Sequence, residues 1–179
     1  MEKIDVLTKD GSDAGYNVTR EEAHLKGLWH RTVHIWIINS KGMILIQKRA
    51  PTKETHPGKW DVSCAGHLSA GDKSVNGAIR ELKEELGISV QDSELNYLLT
   101  IPHTTTVEQF NIIDNELSDV YLLKKDLTPK DLLIQTQELT EVKFIDLEEL
   151  KERVLVIHDP NFVPHDDEYA RLFEILERE

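Results

Sequence analysis

The sequence lacks the features of secreted and membrane-spanning proteins. Its 179 residues include one cysteine, Cys64, which excludes both a disulfide framework and a thiolate zinc cluster. No apolar run approaches the roughly 18 residues of a membrane span, and the N-terminus has no signal-peptide pattern. We therefore expect a cytoplasmic protein without a membrane partner.

Basic residues are also scarce. The chain has 21 Lys and Arg against 33 Asp and Glu, which gives a formal net charge of -12. A protein that coats nucleic acid needs a basic face for the phosphate backbone, so we expect no nucleic-acid partner. A small phosphate ligand remains compatible with this charge, because divalent cations can bridge acidic residues to phosphate.

The patterns that are present predict a single mixed α/β (α+β) domain over residues 1–179. Residues 1–28 are predicted to form an N-terminal hairpin extension, and 165–179 a C-terminal helix whose apolar face docks on the domain. Further predicted strands lie at 32–39, 43–47, 95–102, 110–113, 117–123 and 139–145.

The clearest helical pattern spans residues 75–86. Apolar residues spaced by four, three and four positions form one stripe, at Val75, Ile79, Leu82 and Leu86. Glu81, Glu84 and Glu85 share a second face, where three neighbouring carboxylates repel one another. A hard divalent ion such as Mg²⁺ would resolve this repulsion. The alternative is a solvated face supported by ion pairs such as Arg80 with Glu84.

Residues 66–88 closely resemble the Nudix box. The box pattern is G, five residues, E, seven residues, and then R-E-U-x-E-E-x-G-U, where U is aliphatic. Eight of its nine specified positions match, from Gly66 through Arg80 to Ile88, and Asp72 replaces the first glutamate.

This resemblance implies a Nudix-type α/β/α sandwich and a hydrolase that cleaves a small diphosphate substrate with Mg²⁺ or Mn²⁺. Gly66 would let the backbone approach the metal, which Glu81, Glu84 and Glu85 would bind. Arg80 would orient the helix or a carboxylate. One of the glutamates, or Glu116, would act as the base.

Further stretches between residues 18 and 123 look like the branch related to type 1 isopentenyl-diphosphate isomerase. They are 29–34, 47–53, 57–61 and 65–67. By this resemblance, His30, His67, Asp114 and Glu116 would bind a metal, with His24 shifted by about one residue. The alternative for residues 114–116 is an exposed polar turn.

The same resemblance implies that Arg49 and Lys53 contact the diphosphate. They belong to the one locally cationic stretch beside the box, although solvated loop lysines are common. Trp60, just before the box, is a further candidate for substrate contact. The sequence shows no partner at metal-ligand spacing for His56, His103, His158 or His165. It also leaves open whether the protein forms a homodimer.

Two alternatives compete with the hydrolase. The isomerase needs a catalytic cysteine directly before the box glycine, where this chain has Ala65. If residues 62–65 form a strand, Cys64 and Ala65 face opposite sides, and Cys64 is then a small buried hydrophobe rather than a catalyst. A non-catalytic Nudix binding module would usually have lost one or more of the box glutamates, and none of the last three is lost here. We therefore favour the hydrolase.

Overall fold

A mixed β-sheet with helices on both faces forms the framework of the computed structural model, which describes residues 2–178. The strands are β1 (Lys3–Leu7), β2 (Asp13–Thr19), β3 (Trp29–Ile38), β4 (Met43–Arg49), β5 (Trp60–Asp61), β6 (Cys64–His67), β7 (Leu95–Val107), β8 (Ile112–Lys124) and β9 (Leu139–Asp146). The α-helices are α1 (Arg20–Lys26), α2 (Ser74–Leu86), α3 (Leu147–Lys151) and α4 (Asp166–Leu176). A π-type turn, Glu152–Ile157, continues α3, and 3₁₀ turns lie at Asp92–Glu94, Glu108–Phe110 and Pro129–Asp131.

The central strand is β3, which pairs in parallel with β8 over ten residues and antiparallel with β6. The predicted strands at 110–113 and 117–123 are therefore one continuous strand, β8. Strand β7 pairs antiparallel with β8, and β9 pairs antiparallel with β4. This register places β6, which contains the box glycine Gly66, on one side of β3 and β8 on the other side.

Alternating side chains of the sheet build one core on each face. Ile35 and Ile37 pack with α2, and Trp36, between them in the sequence, packs with α4. The apolar stripe of α2 is confirmed, since Leu82 and Leu86 are fully buried. The α/β/α sandwich and its mixed sheet are thus confirmed.

The N-terminal hairpin is also formed, with β1 and β2 antiparallel. Thr19 caps α1 by accepting a hydrogen bond from the backbone N–H of Glu22. Among residues 2–178, no helix has both the length and the apolar character needed to cross a membrane.

We expect Leu82→Ala to lower the free energy of unfolding by about 2–5 kcal/mol, because it leaves a cavity between α2 and the sheet. Urea unfolding measures this loss. Leu133→Ala is the matched control, since Leu133 is 76% exposed and its truncation should cost no more than about 0.5 kcal/mol. Equal losses in the two variants would contradict the burial of the α2 stripe.

Candidate active site

A cavity of about 560 Å³ opens beside α2 and the ends of β6 and β8. This size suits a small-molecule ligand. Its lining is mostly polar and charged, and it includes the acids Glu81, Glu84, Glu85, Asp114 and Glu116, the bases Arg20, Arg49, Lys53 and Arg80, and the histidines His34, His56, His67, His103 and His165.

The three helix glutamates differ in their environments. Glu81 and Glu85 are buried against β6, whereas Glu84 is exposed. Arg80 pairs with Glu81 at 2.7 Å and with Glu84 at 3.2 Å, and it donates to the carbonyl oxygen of His67 at 2.7 Å. The Arg80–Glu84 pair therefore exists, and the same guanidinium also pairs with Glu81, so pairing with Arg80 accounts for two of the three carboxylates but not for that of Glu85.

Gly66 allows the carboxylate of Glu81 to lie directly against β6. A Cβ at position 66 would fall 2.1 Å from Glu81 Cδ and 2.4 Å from each carboxylate oxygen. No side chain fits in that space, which explains why a glycine precedes the box helix. Asp72 lies on the loop before α2, 4.0 Å from the Arg80 guanidinium.

Burial makes ionisation of the inner carboxylates unfavourable. It raises the pKa of Glu81 to about 7, the pKa of Glu85 to about 8 and the pKa of Glu116 to about 8. Neighbouring carboxylates contribute to these raised pKa values, Glu81 to that of Glu85 and Asp114 to that of Glu116. A bound cation would compensate such a concentration of buried acid.

Asp114 and Glu116 lie within β8 and do not form an exposed turn, so that alternative is wrong. Strand alternation directs both acids to one face, and Asn115 between them donates to the carbonyl oxygen of Gly27. Asp114 is 8% exposed. The register places His30 opposite Glu116 across the β3–β8 pair.

Three histidines converge on these acids. Nε2 of His24 lies 3.5 Å and Nε2 of His30 lies 3.4 Å from Asp114 Oδ1. Nε2 of His67 lies 3.5 Å from Glu116 Oε1. The three Nε2 atoms and Asp114 Oδ1 are buried and have no hydrogen-bond partner among residues 2–178. His24 therefore belongs to the cluster despite its shifted position in the sequence.

The imidazoles are in the state that binds metals. Burial lowers the pKa of His24, His30 and His67, so these rings are neutral at neutral pH. Nδ1 of His30 lies 2.9 Å from the carbonyl oxygen of Leu28. Because a carbonyl only accepts, Nδ1 carries the proton and the Nε2 lone pair faces Asp114.

These residues fit a divalent metal. Four unpaired ligand atoms, three of nitrogen and one of oxygen, lie within 4.8 Å of one another beside the buried glutamates. Unpaired polar atoms of this kind are costly in a protein interior, and a coordinated ion would satisfy them. His24, His30, His67, Asp114 and Glu116 would hold one ion, and Glu81, Glu84 and Glu85 offer oxygens for another.

We expect the metal-free protein to lose stability as the pH rises from 6.5 to 8. Glu81, Glu85 and Glu116 have raised folded pKa values, so their contribution is present below their unfolded value of 4.5 and is lost as the pH rises to about 8. His34, with a pKa of about 9, acts in the same direction above 6.5.

Thermal melts in chelator at several pH values measure this loss. Glu81→Gln/Glu85→Gln should flatten the profile, and saturating Mg²⁺ should raise the Tm most at pH 8. A metal-free Tm that stays constant between pH 6.5 and 8 would contradict the burial of these acids.

The basic loop is held by ion pairs at the cavity wall. Arg49 donates to Asp61 Oδ2 at 3.0 Å and to Thr55 Oγ1 at 2.9 Å. Lys53 pairs with Glu138. Arg49 and Lys53 both line the cavity, so contact with a substrate diphosphate stays a prediction that their positions allow.

Trp60 lies outside the cavity lining. Its ring packs against the α4-side core, and Lys143 Nζ lies 4.3 Å from the ring centroid. The structure therefore does not place Trp60 where it was expected to meet a substrate.

Cys64 and Ala65 face opposite sides of β6. Cys64 is fully buried in the core under α2, whereas Ala65 lines the cavity. Burial, together with the nearby Glu85 carboxylate, raises the pKa of the Cys64 thiol well above its usual value. Cys64 is thus an inert core residue, and the cavity position has no thiol.

Several functional-site candidates have no signal in the sequence. His103 and His165 line the cavity, where they join His34 and Glu168, although spacing gave them no partner. His56 also lines the cavity. The partner of His165, Asp61, is 104 positions away, so only the fold brings the two together.

Comparison with known proteins agrees with this geometry. The NUDIX domain family matches residues 28–166. The chain belongs to the NUDIX family. It is 37% identical over 180 residues to Nudix hydrolase 3 of Arabidopsis thaliana, a match that covers 98% of this chain and 23% of that protein. The NUDIX chain thus spans about a quarter of that relative's length.

Relatives with isomerase names are also found. The chain is 28% identical to isopentenyl-diphosphate Delta-isomerase of Pectobacterium atrosepticum, over 87% of this chain and 84% of that protein.

A crystal structure from Deinococcus radiodurans superposes on the NUDIX chain with a TM-score of 0.72 at 20% identity, and it covers 95% of this chain and 98% of that one. That likeness concerns the fold. Nudix hydrolases generally use divalent metal ions.

Proposed function

We propose that this NUDIX protein is a hydrolase that uses Mg²⁺ or Mn²⁺ to cleave a diphosphate linkage in a nucleoside diphosphate derivative or a similar small diphosphate. The observation that carries the proposal is the set of unpaired buried ligand atoms, on three histidines and Asp114, next to buried Glu81 and Glu85. Bound divalent cations would neutralise phosphate charge and acidify water.

Each part of the cavity has a role in this reaction. Arg49 and Lys53 line the same cavity as the acids, so they can bind phosphate oxygens through charged hydrogen bonds. Arg80 holds Glu81 in place. Glu85 or Glu116 can accept a proton from water once a bound cation favours its ionised form, since burial alone raises the pKa of both to about 8.

Position 65 favours hydrolysis over isomerisation. The isomerase alternative requires a thiol in the cavity at this position, and the side chain here is that of Ala65. The same cavity also carries His34, His103 and His165, a polar surface that poorly suits an isoprenoid hydrocarbon. The third reading, a non-catalytic module, is disfavoured because none of the last three box glutamates is lost.

The test is a substrate screen with purified protein. Nucleoside diphosphates, dinucleotides, nucleotide sugars and prenyl diphosphates are incubated with Mg²⁺ or Mn²⁺, and phosphate-containing products are followed. We expect cleavage of at least one diphosphate class, abolished by chelator and restored by either ion. The histidine ligands should favour Mn²⁺ more than an all-oxygen site would.

A second assay separates the isomerase. Isopentenyl diphosphate is incubated in deuterated water, and its deuterium content is measured by mass spectrometry. Deuterium incorporation without phosphate release would overturn the hydrolase in favour of the isomerase. If no diphosphate is cleaved and no deuterium is incorporated, the binding module becomes the better reading.

A further inference from the structure

A second histidine cluster lies on the wall of the cavity that belongs to α4. It consists of His34 from β3, His103 from β7, His165 directly before α4, and Glu168 within α4. One ligand-capable atom from each residue can be chosen so that all four lie within 4.8 Å of one another. The ring centroids of the three histidines are 4.8–5.3 Å apart. None of these residues belongs to the Nudix box or to the His24–His30–His67–Asp114 group.

Glu168 is the centre of the cluster. Its carboxylate is 1% exposed, and its Oε2 atom accepts hydrogen bonds from His34 Nδ1 at 2.8 Å and His103 Nε2 at 2.9 Å. Its Oε1 atom accepts from the Trp36 indole N–H at 2.8 Å. The Glu168 carboxylate thus binds two imidazoles. The third imidazole, that of His165, packs edge-on against both of them.

An outer layer of partners fixes the orientation of the cluster. Asp61 Oδ1 lies 2.9 Å from His165 Nε2, and Asp61 is itself held by Arg49 at 3.0 Å. The indole N–H of Trp36 holds the second carboxylate oxygen of Glu168 in place through a hydrogen bond. Metal-binding imidazoles and carboxylates are characteristically held by outer partners of this kind, which set ring orientation and tautomer.

The spacing is compatible with a small ion. Bonds of about 2.0–2.1 Å to tetrahedral ligands place neighbouring ligand atoms roughly 3.3 Å apart. When the ion binds, the ligand atoms that are now hydrogen-bonded at 2.8 and 2.9 Å would move slightly apart. The two most distant ligand atoms, now at most 4.8 Å apart, would move closer together. Side-chain rotations achieve such shifts. The protons now shared with Glu168 would leave as the ion enters.

We propose that His34, His103, His165 and Glu168 form a binding site for a transition-metal ion such as Zn²⁺, distinct from the metal centre of the proposed hydrolase. Three imidazoles and one carboxylate suit zinc and its neighbours, whereas Mg²⁺ prefers oxygen ligands. The ion would join α4 to β3 and β7, and it would lie on the wall of the same cavity. This site does not depend on the hydrolase assignment.

The test is metal counting on chelator-treated, full-length protein. Zn²⁺ bound per chain is measured by equilibrium dialysis, and Co²⁺ binding is followed by its visible absorption. His103→Asn and His165→Asn should each bind one Zn²⁺ fewer than the wild type. His158→Asn is the matched control, because His158 is exposed and its φ of 51° suits asparagine. It should bind as much Zn²⁺ as the wild type.

His67→Asn separates this site from the first centre. It should lose the ion of the first centre while it keeps the Co²⁺ absorption of the second, and excess Mg²⁺ should not displace that signal. Circular dichroism confirms folding, and if one of the two cluster variants fails to fold, the other decides. Equal Zn²⁺ content in wild type, His103→Asn and His165→Asn would overturn the site and leave the hydrolase proposal untouched.

Discussion

We expect Glu85→Gln to keep the fold and to reduce kcat by at least about a hundredfold, because it removes one carboxylate charge from the metal centre. Glu85 is buried between α2 and β6, where its Oε2 atom accepts a hydrogen bond from the Ala65 N–H at 3.3 Å. Glutamine has the same shape and an amide oxygen that can accept this bond. The measurement is steady-state turnover of the substrate found in the screen.

Stability gives this variant an internal control. Burial raises the pKa of Glu85 to about 8, so a neutral glutamine should not lower the Tm of the metal-free protein at pH 8. Glu141→Gln, at an exposed position of β9, serves as the matched charge change and should retain wild-type turnover. A Glu85→Gln enzyme with an unchanged rate would remove Glu85 from the metal centre.

Gly66→Ala should produce a loss of similar size, about a hundredfold or more in kcat, by a different route. The added Cβ would lie 2.1 Å from Glu81 Cδ, so the carboxylate must leave its place against β6. Arg80, which binds Glu81 at 2.7 Å, would be displaced with it. The metal requirement should therefore change together with the rate, as a higher Mg²⁺ concentration for half-maximal activity.

Gly77→Ala is the matched control for this substitution. Gly77 lies in α2, and a Cβ there would meet only the flexible Leu68 side chain, at 3.1 Å from its Cγ. We expect its kcat to stay within about twofold of the wild type, because the added Cβ would contact Leu68 rather than an acidic side chain. If Gly66→Ala retained as much activity as Gly77→Ala, the close approach of Glu81 to β6 would have no catalytic importance.

Most of the framework could be predicted because its signals are local. The stripe of Val75, Ile79, Leu82 and Leu86 follows helical periodicity, and Gly87 ends α2 in the left-handed conformation. The hairpin of β1 and β2 follows from alternating apolar residues around a glycine turn. The sequence did not indicate that two of the predicted strands form the single strand β8, because residues 114–116 are polar and resemble a turn. Their polarity reflects the cavity that they face.

The site was only partly predictable, because burial and pairing depend on distant parts of the chain. Periodicity placed Glu81, Glu84 and Glu85 on one face of a helix, but it could not show that only Glu84 is exposed. Asp114 and Glu116 were found through a resemblance. His34 and Glu168 are 134 positions apart, and no spacing rule connects residues so far apart in sequence.

The ten-residue parallel pairing of β3 with β8 also determines when the site can form during folding. Its partners are 86 positions apart, as in the Thr32–Ser118 pair, so the chain must close a long loop before His30 meets Glu116. Such non-local contacts form slowly, because the entropy of loop closure is lost before the contacts stabilise the chain. We therefore expect the metal-binding geometry to form late in folding. A bound ion should slow unfolding much more than it accelerates refolding.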